Sequence, residues 1–269
     1  MAYDYIIEAL EATWVSLEHV CADLSDAQWN AATPCPGWSV KDVISHLIGF
    51  ELMLRGEGTP AAPATFGPHV KNDIGKINEA FVDARRGVDG DDVLAEFVRV
   101  AEGSLERLRD LDDEAWEVVG WSPEGDVPYA RFMETRILDS WIHLQDVRDA
   151  LLRPGDDAGY AEEIVVNRFE GYLPYVWGKR AQAPEGARLR VSLEGPLARS
   201  VDVVVTNGRA GVATTPGEPD LEIVTPASIF WRRGAGRVGA EAFLAAHDTV
   251  VQGDRELAAR FARALAVMI

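Results

Sequence analysis

Two histidines and an aspartate carry the chemistry that this chain suggests first. Asp139 and His143, in the run Asp139-Ser-Trp-Ile-His143, stand four residues apart, so on a helix their side chains lie one above the other. His46 sits near the start of a different segment of strong helical pattern. Two imidazoles and one carboxylate from two facing helices close three corners of a divalent-metal site. They leave the remaining positions open, as catalytic sites do and structural ones do not. Neutral imidazole and carboxylate suit zinc, iron and similar ions. Asp146, three residues beyond His143, is a fourth ligand, an acceptor that orients the ring, or a solvated helix residue. Asp42, four residues before His46, either orients that imidazole or, the preferred reading, caps its helix. Glu51 falls in the middle of an apolar stripe and reads as a partly exposed rim residue, because a buried acid there needs a partner.

Competing chemistries have little support. Serine, cysteine and histidine are too few and too scattered to define a nucleophilic triad. Cys35 is the one plausible nucleophilic thiol, and its preferred reading is a small buried hydrophobe. No GxGxxG follows a strand and no phosphate-binding loop is present. His19, His69 and His247 receive no role.

The elements that position the three ligands are helices. Ile6, Leu10, Trp14, Leu17, Cys21 and Leu24 repeat at helical spacing. The turn-rich stretch Thr33-Pro-Cys-Pro-Gly-Trp38 precedes Ser39, which stands three residues before Asp42 in a capping-box pattern. Val40, Val43, Ile44, Leu47 and Leu54 form the stripe of the next helix, with His46 at its edge. Residues 56–68 read as a loop, and helical pattern returns around Ile74–Val82 and Val93–Leu111. A loop around Ser122–Asp126 leads to Arg131–Leu151, apolar on most of its circumference with a polar stripe of Asp139, His143 and Asp146 beside Arg136. A helix of that kind is usually buried, so its polar stripe is expected to face an internal cleft. After Pro154-Gly155 one further helix is expected from Tyr160 to Trp177. From residue 187 the period changes to two, and Asn207-Gly208 signals a tight turn between strands. Helical stretches follow near 226–233 and 254–267. The expected fold is α plus α+β: a helix bundle over 1–155, a helical connection over 156–186, and a small α+β domain with an antiparallel sheet over 187–269.

Composition supports that division. The net charge is −18, but residues 1–185 hold 16 basic and 35 acidic side chains, while residues 186–269 hold 10 and 9. An acidic chain repels phosphate backbones, so nucleic-acid binding is not expected. Two cysteines are too few for a disulfide scaffold. The N-terminus lacks a basic leader region, and no apolar run approaches the roughly 20 residues that span a bilayer. The expectation is a cytoplasmic protein without membrane contact, a monomer or weak dimer. All ten basic residues of the C-terminal part are arginines, suited to bidentate carboxylate contacts. Arg209, Arg232, Arg233 and Arg237 are the candidates for holding an anionic substrate or cofactor carboxylate, although any one of them taken singly reads more readily as a solvated arginine.

The residues also carry a family resemblance. The stretch from Thr33 through His46 to Leu47 resembles the second-helix signature of the mycothiol-dependent maleylpyruvate isomerase family, whose bundle is DinB-like. Arg136-x2-Asp139-x-Trp141-x-His143-x2-Asp146 resembles that family's later motif, which usually has glutamate where Asp139 stands. The tail around Gly253-Asp-Arg-Glu-Leu-Ala258 resembles its sterol-carrier-like C-terminal domain more weakly. The resemblance implies a four-helix DinB-like bundle and a divalent metal, usually zinc, on His46, Asp139 and His143. It also implies the thiol of mycothiol as cosubstrate at the open metal position. A thiolate made there adds to a small electrophile; it leaves again in an isomerase and stays on the product in a transferase. Water activated by the metal, giving hydrolysis, is a third outcome. The reading from a different class is a non-catalytic small-molecule-binding protein whose metal site is structural or vestigial.

Overall fold

In the computed structural model, which describes residues 2–156 and 159–268, helices follow the apolar periodicity. α1 (Asp4–Cys21) buries Ile6, Leu10, Trp14, Leu17 and Cys21. The single turn α2 (Asp26–Trp29) opens with a capping box between Ser25 and Gln28. α3 (Val40–Leu54) begins at Ser39, whose hydroxyl accepts from the Asp42 N–H while the Asp42 carboxylate accepts from the Ser39 N–H. This reciprocal cap satisfies two donors that a helix start leaves orphaned. α4 (Asp73–Asp83) and α5 (Gly90–Arg109) are capped by the side chains of Asn72 and Asp89. One further turn, α6 (Asp113–Trp116), precedes a short hairpin of β1 (Val119–Ser122) and β2 (Gly125–Pro128). The sequence reads this hairpin only as a loop, because strands of four residues show too little alternation to register as a period. α7 (Tyr129–Leu151) follows directly.

The bundle is built from α1, α3, α5 and α7. α1 packs on α7 and α5, and α3 packs on α5, α4 and α7. Trp14 on α1 donates its indole N–H to Ser140 Oγ on α7 at 3.1 Å, so a buried polar pair crosses the core. Gly49 lets α3 approach α4: a Cβ there would stand 2.3 Å from the Phe81 ring.

The chain divides into two units, one ending at Ala161 and the other beginning at Glu162. Most of the stretch expected as a helical connection therefore belongs with the second unit. The helix expected from 160 to 177 is interrupted. α8 (Tyr160–Gly171) ends before the short turn α9 (Leu173–Tyr175), and a π-turn covers Val176–Arg180. Pro174 lies inside that span, has no N–H for the carbonyl four residues back and crowds it.

In this second unit β3 (Arg188–Glu194), β4 (Arg199–Thr206), β5 (Arg209–Val212), β6 (Leu221–Pro226) and β7 (Val250–Gly253) form one sheet in the order β5-β4-β3-β6-β7. Asn207 and Gly208 both adopt positive φ, 54° and 73°, at the β4–β5 turn, as a two-residue hairpin of this type needs. The sheet is antiparallel at every pairing except β3 with β6, which run parallel with Leu189 opposite Leu221. After β5 the chain returns to the far side of β3, and that crossover sets the parallel pair. Leu189, Val191 and Leu193 alternate inward beside Leu221, Ile223 and Thr225. α10 (Ala227–Gly234) packs on β3 and β6. α11 (Ala240–Ala245) precedes α12 (Arg255–Ala264), which packs on β7 and the π-turn. No helix among the described residues is long and apolar enough to cross a membrane.

Candidate metal centre

α3 and α7 bring the three sequence-selected ligands together. His46 Nε2 lies 3.2 Å from Asp139 Oδ2, and His143 Nε2 lies 3.5 Å from Asp139 Oδ1. The donor atoms of His46, Asp139 and His143 fall within 4.8 Å of one another. Asp139, shorter by one methylene than the glutamate of the resembled motif, thus reaches both imidazoles. Its side chain is 21% exposed while the two histidines are buried, so the cluster opens on the carboxylate side. Burial pushes the His46 imidazole below its ordinary pKa, which keeps it neutral and able to coordinate. Burial would raise the Asp139 pKa. Contacts with His46, His143 and Arg136 outweigh it and hold the carboxyl well below the usual range.

Around these ligands lies a layer that the sequence shows only in part. His143 Nδ1 meets Asp146 Oδ2 at 3.1 Å, so Asp146 orients the ring and leaves Nε2 to face Asp139. Asp42 does not perform that service for His46; it is the helix cap. His46 Nδ1 is buried with no hydrogen-bond partner among the described residues, and its ring packs against the rings of Trp38, Phe50 and His143. Trp38 lies 4.9 Å from His46 and 5.8 Å from His143, centroid to centroid, and forms a roof over both. Its indole N–H donates to Glu79 Oε2 at 3.1 Å, which His69 also contacts, and Arg86 holds Glu79 Oε1 at 2.6 Å. His69, given no role from sequence, packs beneath the turn at Gly37, where φ is +82° and a Cβ would strike the ring at 2.4 Å.

Glu51 corrects the sequence reading. It is 4% exposed rather than a rim residue, and its partner is Arg136, whose Nε and Nη2 donate to Oε1 at 3.1 and 2.8 Å. Arg136 Nη1 donates to Asp139 Oδ2 at 2.6 Å, and the guanidinium lies 4.0 Å over the Phe50 ring. One buried cation is therefore shared between two acids, leaving one negative charge in excess. Cys35 is only half-buried, against the expectation of a buried hydrophobe, whereas Cys21 is the buried thiol.

In the second unit, Arg209 is exposed on β5, and Arg232 lies over the Trp231 ring at 4.5 Å. Arg237 donates to the Ala235 carbonyl at 2.9 Å. Arg233 is buried, and its guanidinium donates to the carbonyls of Ala262, Val238 and Arg263, tying α10 to the end of α12. Carbonyl groups at a helix end take up donors that the sequence reading reserves for a ligand carboxylate.

With the geometry established, comparison with known proteins places the chain. Residues 10–148, more than half of it, match the family described as mycothiol maleylpyruvate isomerase N-terminal domain. The chain belongs to that family. His46, Asp139 and His143, with Trp38, Glu51, Arg136 and Asp146, all fall within the stretch matched to the mycothiol maleylpyruvate isomerase N-terminal domain. The crystal structure of the mycothiol-dependent maleylpyruvate isomerase shares the fold over 94% of this chain and 93% of its own, with TM-score 0.61 and 15% identity. A histidine-to-alanine mutant of that isomerase gives the same coverage at TM-score 0.58 and 14% identity. No curated protein matches the sequence.

Proposed function

We propose that the protein is a divalent-metal-dependent enzyme that uses the thiol of mycothiol to isomerise a small electrophile with a conjugated double bond. The observation that carries this reading is the convergence of His46, Asp139 and His143 from α3 and α7, inside the family-matched residues. The donor set fits a zinc-type ion: two buried imidazoles, one ionised carboxylate, an oriented His143 ring and an open side. A cation held there supplies the charge that lowers the pKa of a coordinated thiol and makes thiolate available near neutral pH.

The protein's own groups do the rest. His46 and His143 present nitrogens from a buried site, and Asp146 holds the proton of His143 on Nδ1. Contacts with His46, His143 and Arg136 keep Asp139 ionised, so the site carries a negative charge before any cation arrives. Trp38 covers the rings and excludes water from one side. Thiolate addition to a conjugated double bond turns it into a single bond; rotation and departure of the thiol complete an isomerisation without net consumption of thiol.

The test is metal analysis and turnover together. Purified protein should carry or take up one equivalent of zinc at this centre, and His143→Ala should lose it. Geometric isomerisation of maleylpyruvate should require mycothiol and leave its concentration unchanged. Consumption of thiol with turnover would make the enzyme a transferase, and failure to load metal at all would remove the proposal.

A further inference from the structure

His143 has two ring nitrogens, and each faces a carboxylate: Nε2 towards Asp139 and Nδ1 towards Asp146. Cys35 stands beside the second pair. Its sulfur, a ring nitrogen of His143 and a carboxylate oxygen of Asp146 all lie within 4.8 Å of one another, a second three-donor group among the described residues. His143 and Asp146 are 4% and 1% exposed, so these two donors are withdrawn from water. Cys35 is held over them by the turn before α3, where its N–H donates to Thr33 Oγ1 at 3.2 Å.

The geometry points to a second metal seat, formed by Cys35, His143 and Asp146, for a thiophilic divalent ion such as zinc or cadmium. Thiolate, imidazole and carboxylate together form a donor set that zinc accepts, and the sulfur discriminates against magnesium, calcium and manganese. The seat goes beyond the centre proposed above but shares its His143 ring. Occupying it displaces the thiol proton of Cys35 and the proton on His143 Nδ1. With the first seat also filled, His143 would be shared between the two seats. Repulsion between two ions would weaken whichever of them binds second. Asp146 changes role between the states, from acceptor for His143 to ligand.

Cadmium titration of the full chain tests this, followed by the ultraviolet thiolate-to-cadmium charge-transfer absorption and by bound-metal analysis. The wild type should develop the band to one cadmium–thiolate centre per chain. Cys35→Ser should abolish it, while Cys21→Ser and His46→Ala should retain it. Asp146→Asn should weaken cadmium binding about 10-fold or more, the scale seen when a group supporting a metal site is removed. Cadmium bound to the wild type without the band would overturn the seat, and that result needs no variant. Survival of the band in Cys35→Ser would also overturn it. Loss in His46→Ala would do the same, by assigning the sulfur to the ion of the first seat. If His46→Ala kept both the band and the wild-type metal content, the first seat would fail and the second would stand.

Discussion

The carboxylate of Asp139 joins two imidazoles on different helices, and Arg136 donates to it. Asp139→Asn should therefore lower metal affinity by at least about tenfold, read by competition with a chelating dye, because a charged ligand becomes neutral. Unchanged affinity would move the ligand role to Asp146. Arg136 faces the opposite way as well, to Glu51, and its removal strands a buried acid. Arg136→Met should cost about 3–5 kcal/mol in urea denaturation, and adding Glu51→Gln should restore part of that loss. No restoration would show that the pair does not act as a unit. His46, Asp139 and His143 were legible in the sequence because Asp139 and His143 sit at helical spacing and His46 lies in a recognisable motif. The burial of Glu51 was not legible, because its partner lies 85 residues further along the chain. Periodicity places a residue on a stripe but does not say what crosses from the next helix.

At the scale of elements, the entry to α3 does two tasks. The Ser39–Asp42 cap starts the helix that carries His46, and Trp38, one residue earlier, covers the His46 and His143 rings. Ser39→Ala should destabilise the protein by about 1 kcal/mol, as loss of an N-cap does. Glu79 anchors Trp38 from α4. Burial would raise the Glu79 pKa, but hydrogen bonds from Trp38, His69 and Arg86 bring it below its ordinary 4.5. The unfolded chain then binds the proton more readily than the folded one, so this stabilisation is present above the ordinary value and is lost as pH falls through the depressed one. Glu79→Gln should flatten the acid limb of the stability–pH curve below about pH 4.5, and an unchanged slope would exclude the anchor. The long helices were plain from apolar spacing, and the cap of α3 from Ser39 and Asp42. The Trp38 roof was not, since the motif gives the tryptophan but not the acid 41 residues later that holds it.

At the scale of the molecule, the proposed ligands and the groups paired with them all belong to the first unit. A fragment of residues 1–161 should bind zinc with an affinity close to that of the whole chain, measured by calorimetry; complete loss in a folded fragment would show that the second unit is needed for metal. The change of period at residue 187 announced a sheet, and Asn207-Gly208 announced its hairpin. The parallel β3–β6 pair stayed hidden, because strand order depends on where a crossover returns, and local alternation carries no record of it.

Cys21 closes α1 with no exposed surface, and burial pushes its thiol up to about 12. Near neutral pH almost none of it is the reactive thiolate, and reagent cannot reach it while the bundle is shut. Its alkylation thus acts as a clock for opening: when reclosing outpaces the reagent, label accumulates in proportion to the open fraction of the helix core, while native molecules are silent. In a Cys35→Ser background, mass spectrometry after a timed pulse of iodoacetamide should return the opening free energy of the bundle in the absence of denaturant, and zinc should slow that clock in proportion to its occupancy.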